Sequence, residues 1–268
     1  MSIPFQWPTA YAAAVQPPHE APERSLWFVF RGAELLVASA PAAIALPHCK
    51  HPKDLGMMLE RTQYLGVLGR EHCFSAQAAA GAAAPRDWTW QGLRALFGVL
   101  DDARFALAGR ALQIVDWDRT HQFCGACGVA TAARTSGRAR ECPGCGLVAY
   151  PRLAPAVMGL VRRERKLLLA RSPRFPEAMY SALAGFVEPG ETLEQCLERE
   201  VYEEVGIRVC KARFSPASLG RSRIRSLRSS PIIGVVKSAS TERRSRTRSG
   251  LILKICRGCL PGSASPAG

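Results

Sequence analysis

Along this chain the hydrophobic pattern changes period several times, and the changes mark its parts. Residues 26–38, LWFVFRGAELLVA, carry apolar runs on both sides of Arg31-Gly32, the pattern of a β-hairpin. YLGVL at 64–68 predicts a further strand, and the Ala/Gly-rich run from Ala76 to Pro85 predicts a loop or a weak helix. From Trp88 to Leu112 the spacing is helical and predicts one or two helices. After Tyr150-Pro151 the pattern changes again, and APAVMGLVRRERKLLLAR predicts two strands joined by a charged turn at Arg162–Arg165. ALAGFVEPGE predicts a strand running into a glycine-rich loop. Thr192 to Val205 predicts a helix, with Thr192 as its cap and Gly206 just past its end.

The 268 residues suffice for two domains with a small module between them. The net charge of +14 suggests an anionic partner until it is divided along the chain. Beyond Val209 lie 13 of the 36 Lys and Arg residues but only one of the 22 acids, Glu242. The 23 basic and 21 acidic residues before that point nearly cancel, so a diffuse nucleic-acid-binding surface is not indicated on the body of the protein. The opening MSIPFQWPTAYAAAVQPPHE has no basic region followed by an apolar core, so no secretory signal is expected. No window reaches the roughly 18 apolar residues of a membrane span. With ten cysteines and no signal, a reducing cytoplasm is the expected location, with no membrane partner.

Four of those cysteines carry chemistry. Cys124-Gly-Ala-Cys127 is followed, 14 residues later, by Cys142-Pro-Gly-Cys145. Two CxxC knuckles at this separation supply four soft thiolates that a β-hairpin can bring together tetrahedrally, so one structural zinc per chain is expected. Four ligands leave no open position for catalysis. Cys256 and Cys259 form another CxxC that lacks a partner pair, and Cys49, Cys73, Cys196 and Cys210 have no matching spacing.

The second chemical signal is Gly185–Ile207, GFVEPGETLEQCLEREVYEEVGI, which reads G-x5-E-x7-R-E-U-x-E-E-x-G-U with U aliphatic. Gly185, Glu191, Arg199, Glu200, Val201, Glu203, Glu204, Gly206 and Ile207 fill every specified position. On a helix Glu200, Glu203 and Glu204 share one face, where their charges repel. A hard divalent cation offsets that repulsion. Leu193, Leu197, Val201 and Val205 recur every four residues on another face and should anchor the helix to the domain.

This pattern resembles the Nudix box, and the resemblance implies hydrolysis of nucleoside diphosphates linked to another moiety. It implies that Glu200, Glu203 and Glu204 bind Mg2+ or Mn2+, with Glu191 and the Ala184 carbonyl nearby, and that Arg199 orients the glutamates. A zinc ribbon directly before such a box is similar to the NADH pyrophosphatase branch, a likeness that extends over roughly residues 26–209. That branch implies cleavage of NAD(H) to nicotinamide mononucleotide and AMP, removal of NAD caps from RNA, and a homodimer. Tyr150 matches an aromatic that contacts substrate in the family, and Arg94 a substrate-side arginine of its N-terminal domain.

The resemblance stops after Val209. The family continues with S-Q-P-W-P-F-P-x-S, which reads the nicotinamide side, and later supplies another glutamate for the metals. Here PASLGRSRIRSLRSSP and STERRSRTRSG stand instead. Ser218 to Arg225 can be written AGC CTT GGC CGT TCC CGC ATT CGC. Read one base earlier, from the last base of a GCC codon for Ala217, the same bases give Q-P-W-P-F-P-H-S. The reading frame is therefore expected to slip near residues 205–213, leaving the remainder as out-of-frame translation without the later strands of the fold.

The expected architecture is α+β. An N-terminal Nudix-like α/β domain occupies residues 1–118 and a zinc ribbon 119–149. The catalytic part of a Nudix α/β/α sandwich follows at 150–209, with an aberrant basic tail at 210–268. A Nudix hydrolase of another nucleoside diphosphate derivative, or a non-catalytic zinc-ribbon RNA binder using the basic tail, are the alternative functions.

Overall fold

The computed structural model describes residues 8–20, 22–38, 44–163, 166–173, 175, 177, 179–213, 232–233, 235–239 and 252–257. These fall into two compact units divided between Leu153 and Ala154.

The first unit is built on a seven-stranded sheet. Its strands are β1 (Tyr11–Ala13), β2 (Ser25–Arg31), β3 (Glu34–Ala38), β4 (His48–Cys49), β5 (Leu59–Leu68), β6 (Glu71–Ala78) and β7 (Trp88–Gly92). The order across the sheet is β1-β5-β6-β2-β3-β7, with β4 also pairing β2. The predicted hairpin forms as β2 and β3, with Phe30 opposite Leu35. Alternate residues of β2 serve two cores because successive side chains leave opposite faces of a strand. Leu26, Phe28 and Phe30 pack with Leu107, Ala111 and Leu112 of helix α1 (Asp102–Thr120). Trp27 and Val29 pack on the other face with Leu36, Ala76 and Ala78. A strand covered on both sides reads as an unbroken apolar run, which is what WFVF is.

Two expectations are corrected here. Ala76–Ala78 is not a loop or weak helix: it ends β6 at the sheet centre, where Ala76 and Ala78 are buried and Ala76 pairs with Val29 and Thr62. Alanine is a poor strand former, but a crowded central position favours a small side chain. Trp88–Gly92 is likewise not helical. It forms edge strand β7 along β3, and a short 3-10 turn at Leu93–Leu96 precedes α1. That helix starts at the Asp101 cap, whose carboxylate accepts from Arg104 N at 2.9 Å, and runs eight residues past Leu112 to Thr120.

The ribbon belongs to this same unit. Its strands β8 (Ala132–Ala133), β9 (Arg140–Glu141) and β10 (Val148–Ala149) form an antiparallel sheet in the order β10-β9-β8. Arginines pin it to the N-terminal domain. Arg140 Nη1 meets Asp118 Oδ1 at 2.7 Å, and Arg138 Nη2 donates to the Tyr64 carbonyl at 2.7 Å.

In the second unit, β11 (Ala156–Gly159) pairs antiparallel with β14 (Leu183–Phe186), and β12 (Val161–Arg163) with β13 (Lys166–Arg171). These are the two strands predicted around the charged turn; Glu164 and Arg165 lie outside the described residues. Helix α2 (Leu193–Val205) packs on β11, β14 and β15 (Val209–Arg213). The core beneath it joins Leu197, Val201 and Val205 to Val157, Val161, Leu168 and Leu183. The tail was expected to add no strands, and this is corrected. Short strands β16 (Ile232–Ile233), β17 (Val235–Ala239) and β18 (Ile252–Arg257) pair with β11, β15 and β13 respectively. Open sheet edges recruit apolar β-branched runs, and IIGVV and LILKIC are such runs. PASLGRSRIRSLRSSP and STERRSRTRSG lie outside the described residues. Among the described residues no helix is long and apolar enough to cross a membrane.

Candidate active site and zinc centre

Local chemistry defines α2 at both ends. Thr192 Oγ1 accepts from Gln195 N at 3.2 Å, while Gln195 Oε1 accepts from Thr192 N at 2.8 Å, a reciprocal capping box. At the other end Gly206 takes φ +70°, a left-handed conformation that stops the helix with little strain, and its N–H donates to Tyr202 O at 2.8 Å. Between them Cys196, Leu197, Val201 and Val205 are buried, so rotation about the helix axis is fixed. The glutamates are thereby turned away from the core.

Arg199 gathers them. Its Nε and Nη2 meet the two Glu191 oxygens at 2.6 and 3.0 Å, and its Nη1 meets Glu200 Oε1 at 3.0 Å and Glu203 Oε2 at 3.1 Å. Nη2 also donates to the Phe186 carbonyl at 3.0 Å, tying the helix to the end of β14. The forked pair with Arg199 pulls the Glu191 carboxyl down to about 2, helped by the Glu188 N–H. The same bonds, that to Glu191 first, raise the Arg199 pKa further above its ordinary value.

Glu200 lies against β14. A Cβ placed on Gly185 would fall 1.7 Å from Glu200 Cδ, so only glycine leaves space for that carboxylate. Ala184 adjoins Gly185 in the same strand, and Glu204, half-buried, follows Glu203 on α2. The structure thus brings Glu191, Arg199, Glu200 and Glu203 together, while Ala184 and Glu204 adjoin this cluster in sequence. One guanidinium against three contacting carboxylates leaves an excess of negative charge carried by hard oxygen donors, and this donor set fits a hard divalent cation.

The cysteines form the other cluster. All four sulfurs lie within 4.8 Å of one another, with Cys124–Cys145 and Cys127–Cys145 at 3.6 Å and Cys127–Cys142 at 3.4 Å. Tetrahedral zinc with ligands at about 2.3 Å requires sulfurs about 3.8 Å apart, so the quartet fits the ion. Both knuckles repeat one hydrogen-bond pattern. Cys124 N donates to Val129 O and Gly128 N to Cys124 O, just as Cys142 N donates to Leu147 O and Gly146 N to Cys142 O. Backbone N–H groups of Ala126 and Cys127 draw the Cys124 thiol down to about 6. Cys127 lies at about 12, because crowding by Cys142 and Cys145 outweighs the lowering effect of the Val129 N–H. Thiols this close cannot all ionise unless a cation sits among them.

Two expected substrate residues lie outside the unit that carries the glutamates. Tyr150, 60% exposed, and Arg94, exposed on the 3-10 turn at Leu93–Leu96, both belong to the first unit. The Asp118–Arg140 pair and the Arg138 anchor are structural features that sequence spacing does not reveal. Only DWDRT, acids at the end of a helix, hints at the first.

A capped helix whose arginine collects glutamates beside a glycine strand defines the Nudix class of hydrolase. Family models agree along the chain. Residues 24–117 match the NADH pyrophosphatase-like rudimentary Nudix domain, 119–150 the NADH pyrophosphatase zinc ribbon domain, and 152–224 the Nudix domain. A Chromobacterium violaceum protein named NAD-capped RNA hydrolase NudC is 40% identical over 213 residues, which span 80% of this chain and 74% of that one. Its Deinococcus radiodurans namesake is 41% identical over 194 residues, 71% of this chain and 66% of that one. For the Stutzerimonas stutzeri namesake the identity is 43% over 190 residues, 65% and 68% of the two chains. The chain belongs to the NADH pyrophosphatase family of Nudix proteins.

Proposed function

We propose that this protein descends from, and is built as, an NAD(H) diphosphatase that splits the dinucleotide into nicotinamide mononucleotide and AMP and also removes NAD caps from RNA. The carrying observation is the Arg199 guanidinium holding Glu191, Glu200 and Glu203 within 3.1 Å on a capped helix. The names of the relatives, NAD-capped RNA hydrolases, support the substrate.

In this reading Glu200, Glu203 and Glu204 hold Mg2+ or Mn2+, with Glu191 and the Ala184 carbonyl at the margin. A divalent ion bound there supplies charge neutralisation for the pyrophosphate and acidifies water. Arg199 fixes the carboxylates before substrate arrives, which spares reorganisation during the reaction. Glu203, 58% exposed against 17% for Glu200, is the carboxylate best placed to accept a proton from water. Zinc in the ribbon is structural. Tyr150 and Arg94 are assigned to substrate contact, the assembly to a homodimer and the location to the cytoplasm. The modules are assigned to residues 1–118, 119–149 and 150–209.

The tail at 210–268 is assigned to a slipped frame, so the 268-residue chain is expected to turn over little NADH. The test compares it with a chain whose codons after the slip are restored, following AMP and nicotinamide mononucleotide release. Robust release by the restored chain, and little by the other, is the expected result. Faster turnover of a nucleotide sugar or an oxidised nucleotide by the restored chain would overturn the substrate assignment. Codons around 205–220 incompatible with the shifted reading would overturn the frame assignment.

A further inference from the structure

A groove of about 490 Å3 opens within the first unit, where the ribbon meets the N-terminal sheet. None of its lining residues belongs to α2 or to the zinc cysteines. Three aromatic residues line it, Tyr64 from β5, Phe74 from β6 and Trp117 from α1, with the Tyr64 and Phe74 centroids 4.9 Å apart. Trp117 is 6% exposed, and its buried Nε1–H has no hydrogen-bond partner among the described residues.

The charge on the groove has the complementary sign. Arg140 is neutralised by Asp118 at 2.7 Å, and Arg134 is paired with Glu141 at 3.3 Å. Arg138 differs. Its donors go to the carbonyls of Tyr64 at 2.7 Å and Ala14 at 3.0 Å and to Gln63 Oε1 at 3.3 Å, all neutral groups. Among the described residues no carboxylate lies within ion-pair distance of it, and burial lowers its pKa. Carbonyls fix the guanidinium in place without cancelling its charge, which prepares it for an anion.

Aromatic residues lining a groove beside an uncancelled guanidinium together describe one ligand chemistry: a base with a phosphate. We propose that this groove binds a nucleoside monophosphate unit, either free or as one residue of a single-stranded RNA. The site stands on its own geometry and does not depend on the assignment of α2.

The test uses the full chain with its zinc and no added Mg2+ or Mn2+, so that binding is read without hydrolysis. The probes are AMP and a 5′-phosphorylated oligoadenylate of about ten nucleotides, titrated calorimetrically. Thr62 is an exposed groove residue, and Thr62→Trp should fill the groove and weaken binding at least about tenfold. Arg138→Gln should weaken it similarly, while Glu203→Gln on α2 should leave it unchanged. RNA bound more tightly than AMP, with affinity falling as salt rises, would identify the polymer as the source; equal affinities would identify the free nucleotide. Absence of binding to either probe overturns the proposal, as does binding that ignores Thr62→Trp and is lost in Glu203→Gln. Should Arg138→Gln fail to fold, Thr62→Trp decides alone. Failure of NADH hydrolysis would leave these titrations unaffected, so the two readings fall separately.

Discussion

Gly185 and Glu200 show how little tolerance the site has at the level of single atoms. With a Cβ 1.7 Å from Glu200 Cδ, Gly185→Ala must push the carboxylate off β14. In the frame-restored chain its hydrolysis rate should fall at least about tenfold with the melting temperature little changed, because a displacement of about 1 Å at a catalytic group is that costly. Glu203→Gln removes the assigned proton acceptor and should lower kcat about 100-fold, the low end for general-base catalysis. Arg199 makes a prediction about pH. It holds the Glu191 carboxyl near 2 rather than 4.5. A depressed folded-state pKa means the pairing contributes fully above about 4.5 and is lost as pH falls through about 2. Arg199→Ala should return Glu191 to ordinary carboxylate titration, visible in side-chain carboxyl NMR; a Glu191 that still titrates near 2 would show that another group holds it.

At the scale of elements, α2 was the most legible part of the chain. Its cap, its apolar four-residue repeat and its terminal glycine all agree, so local preference and tertiary packing point the same way. Thr192→Ala removes one half of the capping box and should cost about 1 kcal/mol in chemical denaturation of the second unit. β6 and β7 were not legible for opposite reasons. Ala76 and Ala78 lack any strand preference of their own and are strand because β2 and β5 flank them. WTWQG at 88–92 can lie along a helix or a strand, and the open edge of β3 decided for strand. Strand pairing is settled by neighbours distant in sequence, and a local pattern cannot see them.

At the scale of the molecule, the ribbon and the N-terminal domain form one unit. Chelation of the zinc should release one ion per chain and loosen the fold of the ribbon, since the ion is what holds the four crowded thiols together. Metal release and loss of amide protection should coincide over residues 121–149. The Asp118–Arg140 pair, with side chains 4% and 10% exposed, is the buried link across the seam. Asp118→Ala leaves the Arg140 charge buried without its partner and should cost about 3–5 kcal/mol, measurable by denaturant titration. The +14 net charge belongs to a different order of explanation, because it sits mostly in a tail assigned to a slipped frame.

Sequence alone determined the chemistry: four thiolates at ribbon spacing, and glutamates three and four residues apart on a helix behind a glycine. Those features repeat locally, and helix periodicity or a knuckle turn is enough to express them. Tertiary structure decided what depends on approach between distant segments. It set Glu200 against Gly185, closed Arg199 on Glu191 eight residues away, and locked Arg140 onto Asp118. It also enclosed the groove under Arg138, which no local pattern announces, because its walls come from two strands, a helix and the ribbon that meet only in the folded chain.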